Sequence, residues 1–177
     1  DTPLDEEDAS KSSWLSVLKD LGIEPDEAIT MPRASDAALL GLSIEGAAAF
    51  DEITRTAAIN QVDRSFWPTI FRGQRYASAV DYVQSLRERS LLMKDFDEAF
   101  GDFDIIVASD RGSHLLFSTN LTGHPQLYIP LGVDEKGVPK GISLIGRLYE
   151  EGKLCAYAQL VQEKVQFHRQ RPPEFAA

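Results

Sequence analysis

The residues of this chain that could do chemistry are few and scattered. Hydrolysis by an activated serine needs a proton acceptor beside the hydroxyl and backbone donors for the oxyanion, usually supplied by a glycine-rich turn. Lys11-Ser12-Ser13 combines an amine with two hydroxyls, but it opens a helix and has no glycine near it, so helix capping explains it better. Ser113-His114 follows a buried apolar run, where α/β folds place ligand contacts, yet adjacent residues of an extended loop point apart. His114, His124 and His168 are not spaced as metal ligands. Asp102 and Asp104 are an acid/base pair by type and turn residues by position. Arg64, Arg72 and Arg75, interleaved with Phe66, Trp67, Phe71 and Tyr76, suit an anion or carboxylate, and they suit plain packing as well. On these residues alone no catalytic group, no metal site and no cofactor is expected.

The elements that must position them follow from periodicity. Trp14, Leu15, Val17, Leu18 and Leu21 recur at helical spacing from Ser10 until Gly22 stops them. Glu27 to Met31 alternates before Pro32, which predicts a short marginal strand. Ser35 or Asp36 caps a second helix running to about Arg55, with Gly41 and Gly46 marking close packing. Trp67-Pro68 points to a break, and Thr69 to Tyr76 adds a helical piece. Ser78-x-x-Asp81 caps a long helix whose expected buried stripe is Val83, Leu86, Ser90, Met93, Phe96 and Phe100, ending at Gly101.

Phe103 to Val107 reads as a buried strand, followed by a polar loop from Ala108 to His114. Gly123 suits a helix C-terminus and Pro125 forbids the helix from resuming. Leu127 and Ile129, then Ile142 and Leu144, predict a β-hairpin whose tip carries Asp134, Glu135, Lys136 and Gly137. A last helix uses Leu154, Ala158, Val161 and Val165, before Pro172-Pro173. The expected fold class is therefore α/β, a mixed sheet of about four strands packed with helices. Its expected limits are an acidic leader over residues 1–9, a single domain over 10–173 and a tail over 174–177.

Composition narrows the function classes. A length of 177 residues, 43% hydrophobic and 26% charged, suits one globular domain with a core. A net charge of −10 argues against nucleic acid as a partner, because phosphate contacts need clustered Lys and Arg. The longest apolar runs fall far short of the roughly 20 residues a bilayer span needs, so no membrane association is expected. A lone cysteine, Cys155, excludes an internal disulfide, is expected to pack as a small apolar residue, and fits a cytoplasmic location. Asp1 is preceded by no methionine and by no signal pattern, so the chain is expected to be a cut piece.

The stretch Thr119-Asn120-Leu121-Thr122-Gly123-His124-Pro125, with Gln126 to Pro130 and Lys140-Gly141-Ile142-Ser143-Leu144-Ile145-Gly146-Arg147, resembles the C-terminal end of the amidase signature family of hydrolases. Phe50 to Arg55, Asp81-Tyr82 through Arg87 and Arg89, Phe103 to Val107, Phe167-His168-Arg169 and Arg171-Pro172 extend the resemblance, in order, across about residues 40–173. The resemblance implies a mixed sheet flanked by helices and the hydrolysis of carbon-nitrogen amide bonds. It also implies that the catalytic lysine and both serines lie in a Gly/Ser-rich half upstream of Asp1, so none maps onto a residue here. The chain departs from the family after Val107, where Ala108-Ser109-Asp110 replaces a frequent Thr-Pro pair. By resemblance the substrate pocket draws on Ser109, Asp110, Ser113 and His114, with Trp67 and Arg72 as further candidates. The implied partners are the N-terminal catalytic half of the same protein and a small amide substrate. The alternative is a non-catalytic binding or assembly domain of an amidotransferase-like complex. A cut sheet edge also predicts self-association into a homo-oligomer.

Overall fold

The structure, a computed structural model, describes residues 14–25, 29–62, 66–108 and 113–171. Helix α1 covers residues 14–20. It ends in a Schellman motif: Gly22 has φ +73°, its N–H donates to the Lys19 carbonyl at 2.9 Å, and the Ile23 N–H donates to the Leu18 carbonyl at 2.9 Å. Residues 29–35 form no strand. The marginal strand expected over Glu27 to Met31 is thus not formed at residues 29–31, and residues 26–28 lie outside the described residues. Side-chain bonds replace a ladder there. The Ser118 hydroxyl donates to the Pro32 carbonyl and accepts from the Ala34 N–H, each at 3.0 Å.

Helix α2 spans Asp36–Ala49, with Ser35 as its cap accepting from the Ala38 N–H at 3.2 Å. The expected continuation to Arg55 breaks at Phe50, after which α3 spans Asp51–Thr54 and a 3-10 turn spans Ala57–Gln61. Helix α4 spans Trp67–Gln74; it tolerates Pro68 because the first turn of a helix needs no donor from that residue.

Helix α5 spans Ala79–Phe100, capped by the Ser78 hydroxyl, which accepts from the Asp81 N–H at 3.0 Å. Its buried residues are Ser85, Leu92, Phe96 and Phe100, whereas Val83 and Met93 are exposed. The expected stripe was therefore right at its C-terminal end and misphased at its start. Gly41 is the physical reason: a Cβ there would come within 2.6 Å of Ser85 Oγ, so α2 and α5 approach too closely for anything larger.

Strand β1 spans Ile105–Ala108, helix α6 Ser113–Thr122, β2 Gln126–Val133, β3 Pro139–Gly146 and α7 Glu151–Val165, followed by a 3-10 turn at Phe167–Arg169. The polar loop expected over Ala108 to His114 is not formed at its ends, because Ala108 pairs with Ser143 in β1 and Ser113 already opens α6; residues 109–112 lie outside the described residues. The described sheet holds three strands rather than about four, in the order β1-β3-β2, all pairing antiparallel. At the hairpin tip the Asp134 carboxylate accepts from the N–H groups of Lys136 and Val138, each at 2.9 Å, and these bonds hold its carboxyl below the usual carboxylate range.

Both sheet faces are covered. Leu18, Ile129, Ile142, Leu144, Leu154, Ala158 and Val161 form one core layer between the sheet, α1 and α7. Met31, Phe96, Phe100, Ile106, Leu115 and Ile145 form the other, under α5 and α6. Because β3 lies between two layers, Ile142 to Gly146 are buried without a break. Cys155 corrects another expectation: it is exposed on α7 rather than packed. Among the described residues no helix is long and apolar enough to cross a membrane.

Candidate functional site

Helix α6 carries the C-terminal end of the expected site. Gly123 ends it at φ +85°, donating to the Thr119 carbonyl at 2.8 Å, and Pro125 begins the descent into β2. Its inward face is polar as well as apolar. Ser118, Thr119 and Thr122 are buried together with Leu115 and Leu121. The Thr119 hydroxyl donates to Gln126 Oε1 at 2.7 Å, with the Leu115 carbonyl 3.0 Å away. Arg89 of α5 donates from Nε to the Leu121 carbonyl at 2.6 Å, tying the two helices together.

His124 completes this buried network. Its Nδ1 lies 2.9 Å from Thr122 Oγ1, and its ring packs 4.7 Å from Phe96 and 5.5 Å from Phe100 between ring centres. Burial pushes the imidazole below its ordinary range; the Arg147 charge adds to this and Asp97 opposes it. Arg147 stands over the Phe100 ring at 5.1 Å and donates to the Gly101 carbonyl. This histidine is a neutral structural group, packed among rings rather than facing a cleft. Sequence spacing missed the network, although polar residues at helical intervals in an apolar segment (Ser118, Thr119, Thr122) were its visible sign.

The remaining candidates separate into distinct places. Ser109 and Asp110 lie outside the described residues, and Ser113 and His114 open α6 with side chains that also fall outside them. Asp104 is ion-paired with Lys153 Nζ at 2.9 Å, which holds its carboxyl below the usual range and keeps it ionised; the same ammonium reaches Glu150 at 2.8 Å. A carboxylate fixed in that state is poorly suited to act as a general acid. Among the described residues no group of His, Cys, Asp and Glu could hold a metal ion.

Trp67 and Arg72 sit on α4, which packs against α2 and α3, whereas α6 packs against α5 and α2. Helix α2 is thus the common neighbour of the two halves of the expected pocket. On α4 the rings of Trp67 and Phe71 stack at 5.6 Å and 24°, Phe71 stacks on Phe50 at 4.9 Å and 23°, and Phe66 lies 5.0 Å from Trp67. Arg72 Nη2 donates to Asn60 Oδ1 at 2.5 Å. Asp51 accepts from Arg55 on one oxygen at 2.5 Å and from Arg75 on the other at 3.0 Å. A separate groove of about 420 Å³ runs between β2, α7 and the last 3-10 turn, lined by Leu127 to Ile129, Gln159, Gln162, His168 and Arg169 among others. Nothing in the residue pattern had marked it.

No protein-family model matches the sequence. Over 174 aligned residues the chain is 28% identical to a glutamyl-tRNA(Gln) amidotransferase subunit of Rippkaea orientalis, covering 85% of this chain and 36% of that protein. A solved amidase superposes with a TM-score of 0.72 at 18% identity, covering 90% of this chain and 42% of the amidase. A bacterial aryl acylamidase of the amidase signature family gives 0.69 at 16% identity, covering 95% and 43%. The chain therefore spans less than half the length of the proteins it is similar to. Sequence and fold together bear out the resemblance to amidase signature proteins.

Proposed function

We propose that this chain is the C-terminal part of a hydrolase of carbon-nitrogen amide bonds, supplying scaffold and one wall of the substrate pocket. In this reading the catalytic lysine and two serines come from a Gly/Ser-rich half outside the 177 residues. The complete reaction is acyl transfer from an amide to the activated serine, then to water. The residues here position and enclose; Ser109 and Asp110, which follow β1 in sequence, Ser113 and His114 at the start of α6, and Trp67 and Arg72 of α4 contact the substrate.

One observation carries the reading: apolar side chains and strand edges that a finished fold would cover are open here. The described sheet stops at β1 on one side and at β2 on the other, each pairing on one edge alone. Leu116 and Phe117 lie exposed on α6 beside the expected pocket, as an uncovered wall would leave them. Alone, the chain is expected to show no amide hydrolysis, and joined to an upstream Gly/Ser-rich half it gains serine-dependent activity. Serine-dependent hydrolysis of a simple amide by the purified chain overturns the proposal. The same exposed face favours self-association of the isolated chain, read by sedimentation as a species larger than the monomer. The thiol of Cys155 and the absence of other cysteines fit a reducing, cytoplasmic setting.

A second reading is favoured by the names of the relatives, which are subunits of amidotransferases. The chain would then be an assembly or binding domain of such a complex, without catalysis of its own. Co-expression separates the two: stable capture of a different subunit, with no activity gained from an upstream half, selects the second.

A further inference from the structure

The row of rings on α4 is unlike any other aromatic group in the described residues. Phe50, Phe71, Trp67 and Phe66 follow one another at 4.9, 5.6 and 5.0 Å, and the row is anchored by Phe71, which is buried. Its other members remain open to solvent, Phe66 by 65%, Phe50 by 52% and Trp67 by 40%. Rings that served only packing would be expected to be covered, as Phe96 and Phe100 are.

The charge beside the row is cationic on an acidic chain. Arg55 and Arg75 share the carboxylate of Asp51, one on each oxygen, so among the described residues two guanidinium groups divide one ion-pair partner. The bond from Arg72 is to the neutral amide of Asn60. A planar fork of N–H donors carried on the same helix as exposed rings suits a flat group that ends in a carboxylate. Nucleic acid, which also stacks on aromatics, is disfavoured by the net charge of −10.

We infer that the α4 row is a binding surface for an aromatic carboxylate, the ring packing on the exposed Phe66–Trp67 end of the row and the carboxylate meeting Arg72 and Arg75 of the same helix. The inference rests on the proposed function only in making this group part of an amide substrate; the surface itself is a claim about this chain. It is tested without activity, so its failure leaves the proposed hydrolase role standing. The probe is 4-nitrobenzoate, titrated against the fluorescence of the Trp14→Phe variant, in which Trp67 is the remaining tryptophan. Saturable quenching is expected, with affinity weakened about tenfold in Arg72→Ala and in Arg75→Ala and about tenfold for the neutral 4-nitrobenzamide. Acetate should neither quench nor compete. Far-ultraviolet circular dichroism of each variant shows that the helices persist. Linear quenching without saturation, equal affinity for the neutral amide, or affinity unchanged by both arginine substitutions overturns the inference. So does quenching that tracks protein concentration instead of ligand, which assigns the row to contact between copies.

Discussion

Two aromatic clusters in this molecule are made of similar residues and do opposite things. Under α6, Phe96 and Phe100 have no exposed surface and enclose a histidine. On α4, Phe66 and Trp67 pack on neighbouring rings with much of their surface in water. The first cluster is closed by a sheet behind it and two helices above it. The second has α2, α3 and the 3-10 turn of Ile59 behind it and no sheet, so its outer face is left for something else. The difference teaches that ring type does not set the role of an aromatic residue; the number of layers around it does.

The largest effect that would test this comparison is a truncation in each cluster. Phe96→Ala is expected to cost about 3–5 kcal/mol, since it removes a fully buried ring from a two-layer core. Phe66→Ala is expected to stay within about 0.5 kcal/mol. Urea denaturation measures both, and equal losses would erase the distinction.

Hydroxyls sharpen it at a smaller scale. Ser118 holds Pro32 and Ala34 to α6, so Ser118→Ala removes two bonds to half-buried backbone groups and should cost about 1–2 kcal/mol. Ser143 on β3 is just as buried, yet among the described residues its Oγ has no hydrogen-bond partner. Ser143→Ala is therefore expected to be neutral or slightly stabilising, and a loss like that of Ser118 would reveal a partner acting there.

The smallest effect concerns His124. Burial lowers its pKa in the folded protein, so the unfolded chain binds the proton first, near the ordinary value of 6.5. Stability is thus full above that value, and falls as pH drops from there toward the lowered folded pKa. Acid-dependent unfolding measured from about pH 7.5 to 5 should be flatter in His124→Gln, once its lower starting stability is subtracted. An unchanged slope would mean that the ring is not buried as a neutral group.

Much of the fold was legible because local chemistry and tertiary need agreed. The hairpin announced itself through alternation around Asp134-Glu135-Lys136-Gly137, and α5 through Ser78 and Gly101. The missing fourth strand was not legible, since the backbone of Pro32 and Ala34 bonds to a serine more than eighty residues away instead of to a neighbouring strand. The site was legible less far. Residue types marked Trp67 and Arg72, but only the tertiary structure set Trp67 in a row with Phe71 and Phe50 and tied Arg72 to Asn60 of the preceding 3-10 turn.

Sequence by itself determined the caps that start α2 and α5, the glycines that end α1, α5 and α6, and where the hairpin turns, because caps and glycines act within a few residues of themselves. It also determined the likeness to amidase signature proteins, through motifs kept in order. Tertiary structure alone decided which face of α5 is buried, which hydroxyls find partners, and which aromatics remain open. Those outcomes depend on what packs against each surface, as when Gly41 of α2 lets Ser85 rather than Val83 turn inward, and no local pattern carries the identity of a neighbour.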